Sequence, residues 1–372
     1  MKPQEIITKL AVHFNERGDQ ISLDCLRFQL SRGITMVEEI NKFKPRSFER
    51  SPLRIIDKNG CEKEVPNKVI LYGAGVYGFL IKQLIETVYK SEVVAFIDSN
   101  KTGNYYNKPI ITIHEYKRKE DYADVPLVVS VANPQKIEYS LREAGVDDYF
   151  HSELTTAFWT YVKFTEAKRL LDVSGKPQYF SLKELNHSDE EVFVDCGTYD
   201  GQNIKDFILW AGEKGYKKIF AFEPDPICFD ASKQNLCDVK KLYIKKAAIT
   251  DKIGKGMLMI QNLSKDNPGA SSVLNEIHGT HETELTTLDS EFADETVSFI
   301  KMDIEGAELS ALKGGEEIIR RCKPKLAICV YHELEDLWQI PNYIWSINPN
   351  YKFYLRHYSD SWCETVLYAV NI

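Results

Sequence analysis

The feature that most constrains this chain is a repeated grammar: a short apolar run, a turn rich in glycine or acid, then a helical segment. The first round begins at Lys68–Tyr72, passes through Gly73-Ala-Gly-Val-Tyr-Gly78 and enters an apolar helix that runs to Val88. Glu92–Ile97, ending at Asp98, and Pro126–Val131, with a helix from Pro134 to Ala144, continue it. The second round opens at Val192–Val194, turns at Gly197–Gly201 and enters a helix over Gln202–Ala211. Lys218–Phe222, Leu242–Ala247, Val297–Met302 and Lys325–Tyr331 follow as further strands. Strands alternating with helices at this spacing predict parallel sheets covered on both faces. The chain closes on two alternating runs, Lys352–His357 and Thr365–Val370, which predict an antiparallel hairpin.

The expected fold class is therefore α/β, with two Rossmann-like domains. The C-terminal one is a seven-stranded sheet of the kind methyltransferases use, closed by the antiparallel hairpin; a dinucleotide dehydrogenase sheet stays parallel. The boundaries read as a helical N-terminal extension over 1–66, a small nucleotide-binding-type domain over 67–150, a helical linker over 151–190 and the larger domain over 191–372.

Composition narrows the function classes. With 372 residues, 43% hydrophobic and 27% charged, the chain can bury real cores. A formal charge of −8 opposes a general affinity for nucleic acid. Lys-rich pieces such as Lys240–Lys246 read as a solvated strand edge. No run reaches the ~20 apolar residues of a membrane span, and the amphipathic N-terminus reads as a helix and not a signal peptide. Eight cysteines are scattered without a CxxC pair, so a reducing cytoplasm is expected, with no structural zinc and no disulfide framework. A homo-oligomer is compatible with this composition.

In an open parallel sheet, ligands bind beyond the carboxyl ends of the strands. The second domain places Asp195-Cys-Gly-Thr-Tyr-Asp-Gly201, Glu223-Pro-Asp-Pro226, Asp303-Ile-Glu-Gly306 and His332-Glu333 at four such ends. S-adenosylmethionine suits this set. Gly197, Thr198, Tyr199 and Gly201 form a turn close to its methionine part, with helix N-terminal amides facing the carboxylate. Asp195 would accept from the ammonium, and Glu223, followed by Pro224, from both ribose hydroxyls. The simpler roles are helix capping for Asp195 and Asp200, and a solvated strand end for Glu223. The turn is not GxGxxG, and an acid directly before it would repel a pyrophosphate.

The runs Phe193–Gly201, Phe220-Ala-Phe-Glu-Pro224, Leu285-Thr-Thr-Leu-Asp289 and Phe299-Ile-Lys-Met-Asp-Ile-Glu-Gly-Ala-Glu-Leu309 resemble the FkbM-type methyltransferases, from Glu191 to the end of the chain. The resemblance implies O-methylation of a sugar or natural-product hydroxyl, often in surface-polysaccharide pathways. It implies that Asp195, Gly197 and Glu223 hold the cofactor, and it places Asp303, Glu305 and His332 beside the methyl group. Cys196-Gly-Thr-Tyr departs from the Gly-Ala-Asn that many members carry in the loop.

Methyl transfer to a hydroxyl needs alignment and removal of one proton. His332 is the expected general base, with an unperturbed pKa near 6.5, and Asp303 would orient it or take the proton itself. Alternatively, a divalent cation such as Mg or Mn on Asp303, Glu305 and His332 would acidify the hydroxyl. Glu308 reads as a first-turn acid favoured by the helix dipole. Asn262–Glu284, with His278 and His281, reads either as a substrate-facing lid or as a plain surface loop.

In the first domain, Gly73, Gly75 and Gly78 fit GxGxxG after a strand, with Asp98 about 20 residues on. Phe96–Asn100 and Lys108-Pro-Ile110 resemble the N-terminal nucleotide-sugar-binding domain of bacterial sugar acetyltransferases, which implies a nucleotide-linked sugar as ligand. A degenerate unit used for packing is the simpler role. Two other functions fit less well: an NAD(P)-linked oxidoreductase using Gly73–Gly78 and Asp98, and a non-enzymatic nucleotide-binding protein.

Overall fold

The computed structural model describes residues 2–41, 51–99, 101–131, 134–155, 165–212, 215–260, 271–274 and 281–371. The chain divides into two compact units, Ser31–Phe164 and Met1–Leu30 with Thr165–Ile372.

The smaller unit is built on eight strands: β1 (Leu53–Ile56), β2 (Glu62–Lys63), β3 (Lys68–Tyr72), β4 (Glu92–Ile97), β5 (Gly103–Tyr105), β6 (Lys108–Ile111), β7 (Leu127–Val129) and β8 (Phe150–Leu154). Their order is β2-β1-β8-β7-β3-β4-β6-β5. Strands β8, β7, β3, β4 and β6 run parallel, while β1, β2 and β5 add antiparallel edges. The strand order reverses between β3 and β7, which brings the Gly73–Gly78 turn beside Ser130. Strands β1 and β8 lie in stretches whose sequence reads as helix or linker. Both are short and only partly buried, so they lack the continuous apolar signal of the central strands.

The larger unit holds β9 (Glu191–Cys196), β10 (Tyr216–Phe222), β11 (Leu242–Lys245), β12 (Ala248–Ile249), β13 (Gly254–Ile260), β14 (Ser271–Leu274), β15 (His281–Thr286), β16 (Phe299–Met302), β17 (Lys325–Cys329), β18 (Tyr351–His357) and β19 (Thr365–Asn371). Seven of them form the expected sheet, in the order β11-β10-β9-β16-β17-β19-β18. Five are parallel, and β19 runs antiparallel to both β17 and β18. Strand β9 is buried along its whole length, as a central parallel strand must be. Phe193 stacks on Phe207 of helix Gln202–Ala211 at 4.2 Å, and Phe180, Trp210 and Phe299 close around them. Burying aromatic side chains of this size contributes roughly 1.5–3 kcal/mol each.

Strands β12-β15-β13-β14 make a second sheet that the sequence did not announce. Part of the stretch read as either a lid or a surface loop belongs to it: Ser271–Leu274 pairs with β13, and His281 opens β15. Asn267–Gly269 and His278 lie outside the described residues. The N-terminal helix Pro3–Glu16 and the start of Gln20–Asn41 belong to this unit. His13 accepts from the Phe353 N–H at 3.0 Å, Ser22 from the Leu355 N–H at 2.8 Å, and Gln29 donates to Thr365 at 2.6 Å. Among the described residues no helix is long and apolar enough to cross a membrane.

Candidate active site

The strand order of the seven-stranded sheet reverses between β9 and β16, and the ends of β9, β10, β16 and β17 converge there. Asp195 lies in register with Lys301 across the β9–β16 pair. Both side chains are fully buried, 3.1 Å apart, and the Lys301 ammonium also donates to the Gly197 carbonyl at 2.7 Å. Burial works against the charge on Lys301, but Asp195 and Asp303 together raise its pKa above the usual value. Burial pushes the Asp195 carboxyl up, and Lys301 opposes that. Asp195 is thus committed to a buried ion pair, where the sequence suggested an acceptor for a ligand ammonium.

The turn after β9 is held from several sides. A Cβ at Gly197 would collide with the Asp303 carbonyl oxygen, so a left-handed glycine is required there. Thr198 is buried, Tyr199 is 37% exposed with a left-handed backbone, and Gly201 begins helix Gln202–Ala211. Asp200, one residue before the N-cap Gly201, accepts from the Gln202 N–H at 3.0 Å. Glu223 reaches back to this turn: its oxygens accept from the Tyr199 N–H at 2.8 Å and the Asp225 N–H at 2.9 Å. Burial lifts its pKa to about 7. Each oxygen keeps a further lone pair for another donor. Pro224 is half-buried beside it, and Asp225 caps the next helix by accepting from Ile227 and Cys228.

Beyond β16 and β17, carboxylates surround one imidazole. His332 Nε2 lies 3.5 Å from Asp303 and 3.7 Å from Glu305, and its Nδ1 lies 3.0 Å from Glu308. Burial alone would lower the His332 pKa, but Glu308, Asp303 and Glu305 raise it to about 10. The three carboxylates thus favour the protonated ring, which weighs against His332 as the free base. Glu308 stands in the first turn of helix Glu308–Lys313, as the sequence reads, and it is also fully buried, accepts from the Ile304 N–H at 2.9 Å and lies 3.0 Å from the His332 ring.

Asp303 accepts from Tyr179 at 2.9 Å and Tyr331 at 3.3 Å. Burial disfavours its charge, yet Lys301 and His332 outweigh that and hold its pKa below the ordinary value. Glu305 differs. It has a left-handed backbone, its side chain is 35% exposed, and burial with the neighbouring acids lifts its pKa to about 7 against the pull of His332. Glu364, in the turn before β19, accepts from Tyr331 at 3.3 Å and Gln178 at 2.6 Å. Lys301, Tyr179, Tyr331, Gln178 and Glu364 were not singled out from sequence. For Lys301 a signal existed: a lysine inside a strand too apolar to carry an unpaired charge.

Oxygens of Asp303 and Glu305 and a nitrogen of His332 all lie within 4.8 Å of one another, close enough to converge on one cation. In the smaller unit, Gly73, Gly75 and Gly78 shape the turn after β3, and a Cβ at Gly78 would collide with the Gly73 carbonyl. Asp98 accepts from the Ala74 N–H at 2.9 Å and the Lys101 N–H at 3.1 Å, and Lys101 donates to the Ala74 carbonyl at 2.7 Å.

Over 159 residues, 38% of the chain, the sequence is 25% identical to the 2-O-methyltransferase NoeI of Sinorhizobium fredii (strain NBRC 101917 / NGR234), and the match spans 64% of that protein's length. Among solved structures, methyltransferase FkbM from Methylobacillus flagellatus KT aligns over 95% of this chain and 98% of its own, with 20% identity and a TM-score of 0.44. Aeropyrum pernix fibrillarin, solved with natively bound S-adenosyl-L-methionine, aligns over 55% and 74%, with 10% identity and a TM-score of 0.33. Residues 68–137 match the family model of the PglD N-terminal domain, and residues 195–356 match that of the methyltransferase FkbM domain.

Proposed function

We propose that the chain is an S-adenosylmethionine-dependent O-methyltransferase whose acceptor is a sugar or glycan hydroxyl. The observation that carries this reading is the carboxylate-rich cluster at the strand-order reversal, inside the region that matches the methyltransferase FkbM domain. Asp195, Asp303, Glu305, Glu308 and Glu364 outnumber Lys301 and His332, so the site favours a cationic guest such as a sulfonium. The residues present fit the cofactor: Glu223 is buried with acceptor capacity to spare, and the left-handed turn from Gly197 to Gly201 leaves backbone within reach. When bound, S-adenosylmethionine supplies an activated methyl group.

The chain's own residues supply the rest. Glu223 accepts from the ribose hydroxyls, and the turn faces the methionine end, while Lys301 keeps Asp195 and the Gly197 carbonyl in place. Glu305, the most exposed acid among those facing His332, accepts the hydroxyl proton on a carboxylate oxygen. Its raised pKa suits it to accept a proton near neutral pH. His332, as an imidazolium, holds Glu305 and Asp303 apart from one another's charge, and Glu308 orients the ring.

A second reading places a divalent cation on Asp303, Glu305 and His332. Glu308 against Nδ1 favours it, since a carboxylate behind a histidine commonly leaves the other nitrogen to a metal. Chelator sensitivity, with restoration by Mg or Mn, separates it from the metal-free reading. The smaller unit is assigned a nucleotide-linked sugar, on the strength of its match to the PglD N-terminal domain and the turn at its own strand-order reversal. Work in the cytoplasm, on surface-polysaccharide or natural-product precursors, belongs to the same proposal.

The test is transfer of a labelled methyl group from S-adenosylmethionine to a panel of nucleotide sugars and oligosaccharides, with the product ether located by mass and NMR. A sugar methyl ether supports the reading. Turnover only on nitrogen or carbon acceptors, or none on any hydroxyl, refutes it.

A further inference from the structure

At the opposite end of the seven-stranded sheet, a cavity of about 480 Å³ is lined by Lys9, His13, Lys323, Trp345, Lys352 and Asn371, among others. Lys323 precedes β17, Lys352 lies at the start of β18, and Asn371 closes β19, so the cavity sits at the amino ends of the parallel strands. The carboxylate cluster sits at their carboxyl ends. From Lys323 to His332 the chain spans roughly 30 Å at most.

The charge of this cavity runs against that of the chain. Among the described residues no carboxylate lines it, although the chain carries 55 acids against 47 bases. Lysines elsewhere are commonly paired, as Lys82 is with Glu86 and Lys325 with Glu191. Lys9, Lys323 and Lys352 have no carboxylate within ion-pair distance among the described residues. Lys9 instead lies over the Trp345 ring, 4.0 Å from its centroid. Arg17, bonded to His13, is by contrast paired with Asp19 at 3.9 Å. His13 stays a neutral acceptor for the Phe353 N–H, its pKa held down at about 4 by burial and by Arg17, Lys352 and Lys9.

We propose that this cavity is an anion site for a soluble, diphosphate-bearing small molecule, separate from the methyl-transfer site. Like-charged lysines that line one cavity without carboxylate partners repel one another until an anion joins them. Three ammonium groups match the charge of a diphosphate, and the volume exceeds what a lone phosphate needs and falls in the range of small-molecule sites.

The test is calorimetric titration of the full chain with inorganic pyrophosphate at low ionic strength, where surface charges are least screened. The expected result is saturable binding that Lys323→Gln/Lys352→Gln weakens at least tenfold. Lys217→Gln, which removes a lysine paired elsewhere with Glu190, should leave it within about twofold. S-adenosylhomocysteine affinity should be the same in all three proteins. Should the double variant not fold, Lys9→Gln on the exposed helix gives the same reading with a smaller, about threefold, loss. Non-saturable binding, equal loss in Lys217→Gln, competition with S-adenosylhomocysteine, or binding to anionic vesicles without binding to pyrophosphate would each overturn the proposal.

Discussion

Replacing Lys301 by Met tests whether the buried pair with Asp195 is the frame of the site. The substitution keeps the length and apolar bulk of the side chain and deletes only the ammonium. Asp195 is then left fully buried, with no cation within contact and Asp303 nearby. Removing one partner of a buried pair typically costs about 3–5 kcal/mol, well above the value of an exposed pair. The lost bond to the Gly197 carbonyl contributes in the same direction, although the two effects do not simply add. Asp195 can limit the damage by taking up a proton, so the cost should grow as pH rises. For a unit of this size, 1 kcal/mol moves Tm by roughly 2–4 °C, and the expected fall is about 6–20 °C. Scanning calorimetry of the parent, Lys301→Met, Asp195→Asn and the double variant is the assay. The double variant should recover at least about 2 kcal/mol relative to the sum of the singles. A Tm for Lys301→Met within about 2 °C of the parent, or strict additivity, refutes the reasoning.

Glu305→Gln should lower turnover by roughly 10²–10⁴-fold while leaving S-adenosylhomocysteine affinity nearly unchanged, and parental activity should rise as pH increases through about 7, where Glu305 loses its proton; full activity in the variant removes the base assignment. Glu223→Ala should weaken S-adenosylhomocysteine binding by about 1–3 kcal/mol in calorimetry, and unchanged affinity takes Glu223 out of the site. His357 is buried and its pKa is held down to about 4, so the unfolded chain binds its proton first as pH falls below 6.5. The stability advantage of the parent over His357→Asn should therefore shrink by up to about 3 kcal/mol between pH 6.5 and 4, and a gap that does not change with pH contradicts this. Gly78→Ala should destabilise the smaller unit by about 2 kcal/mol in urea unfolding, whereas Gly75→Ala, whose Cβ would meet nothing, should be nearly neutral; equal effects would refute the packing argument.

The two parallel sheets and the closing hairpin were legible because central parallel strands read as uninterrupted apolar runs. The short strands β1 and β8 were not, since half-buried segments of this length carry no such run. The second small sheet was missed for a related reason: β13 and β15 flank a polar stretch that looks like a loop. At the site, acids at strand ends pointed to Asp195, Glu223, Asp303 and Glu305, because strand ends are legible once the strands are. Their roles were less so. Asp195 looked available until its register with Lys301 became visible, and register between strands distant in sequence leaves no local pattern. Asp303 and Glu305, in the turn after β16, were already grouped with His332 from sequence, but the packing of Glu308 against the ring was not, because it depends on how the next helix turns back. Glu364 and Tyr179 come from segments with no periodicity to betray them, and only the fold brings them to Asp303.

The most direct measurement of the central claim is calorimetric titration of the full chain with S-adenosylhomocysteine and, separately, with NAD⁺. The account predicts micromolar, one-to-one binding of S-adenosylhomocysteine that Glu223→Ala weakens. Binding of NAD⁺ with no binding of S-adenosylhomocysteine would contradict it and favour an oxidoreductase working from the Gly73–Gly78 turn.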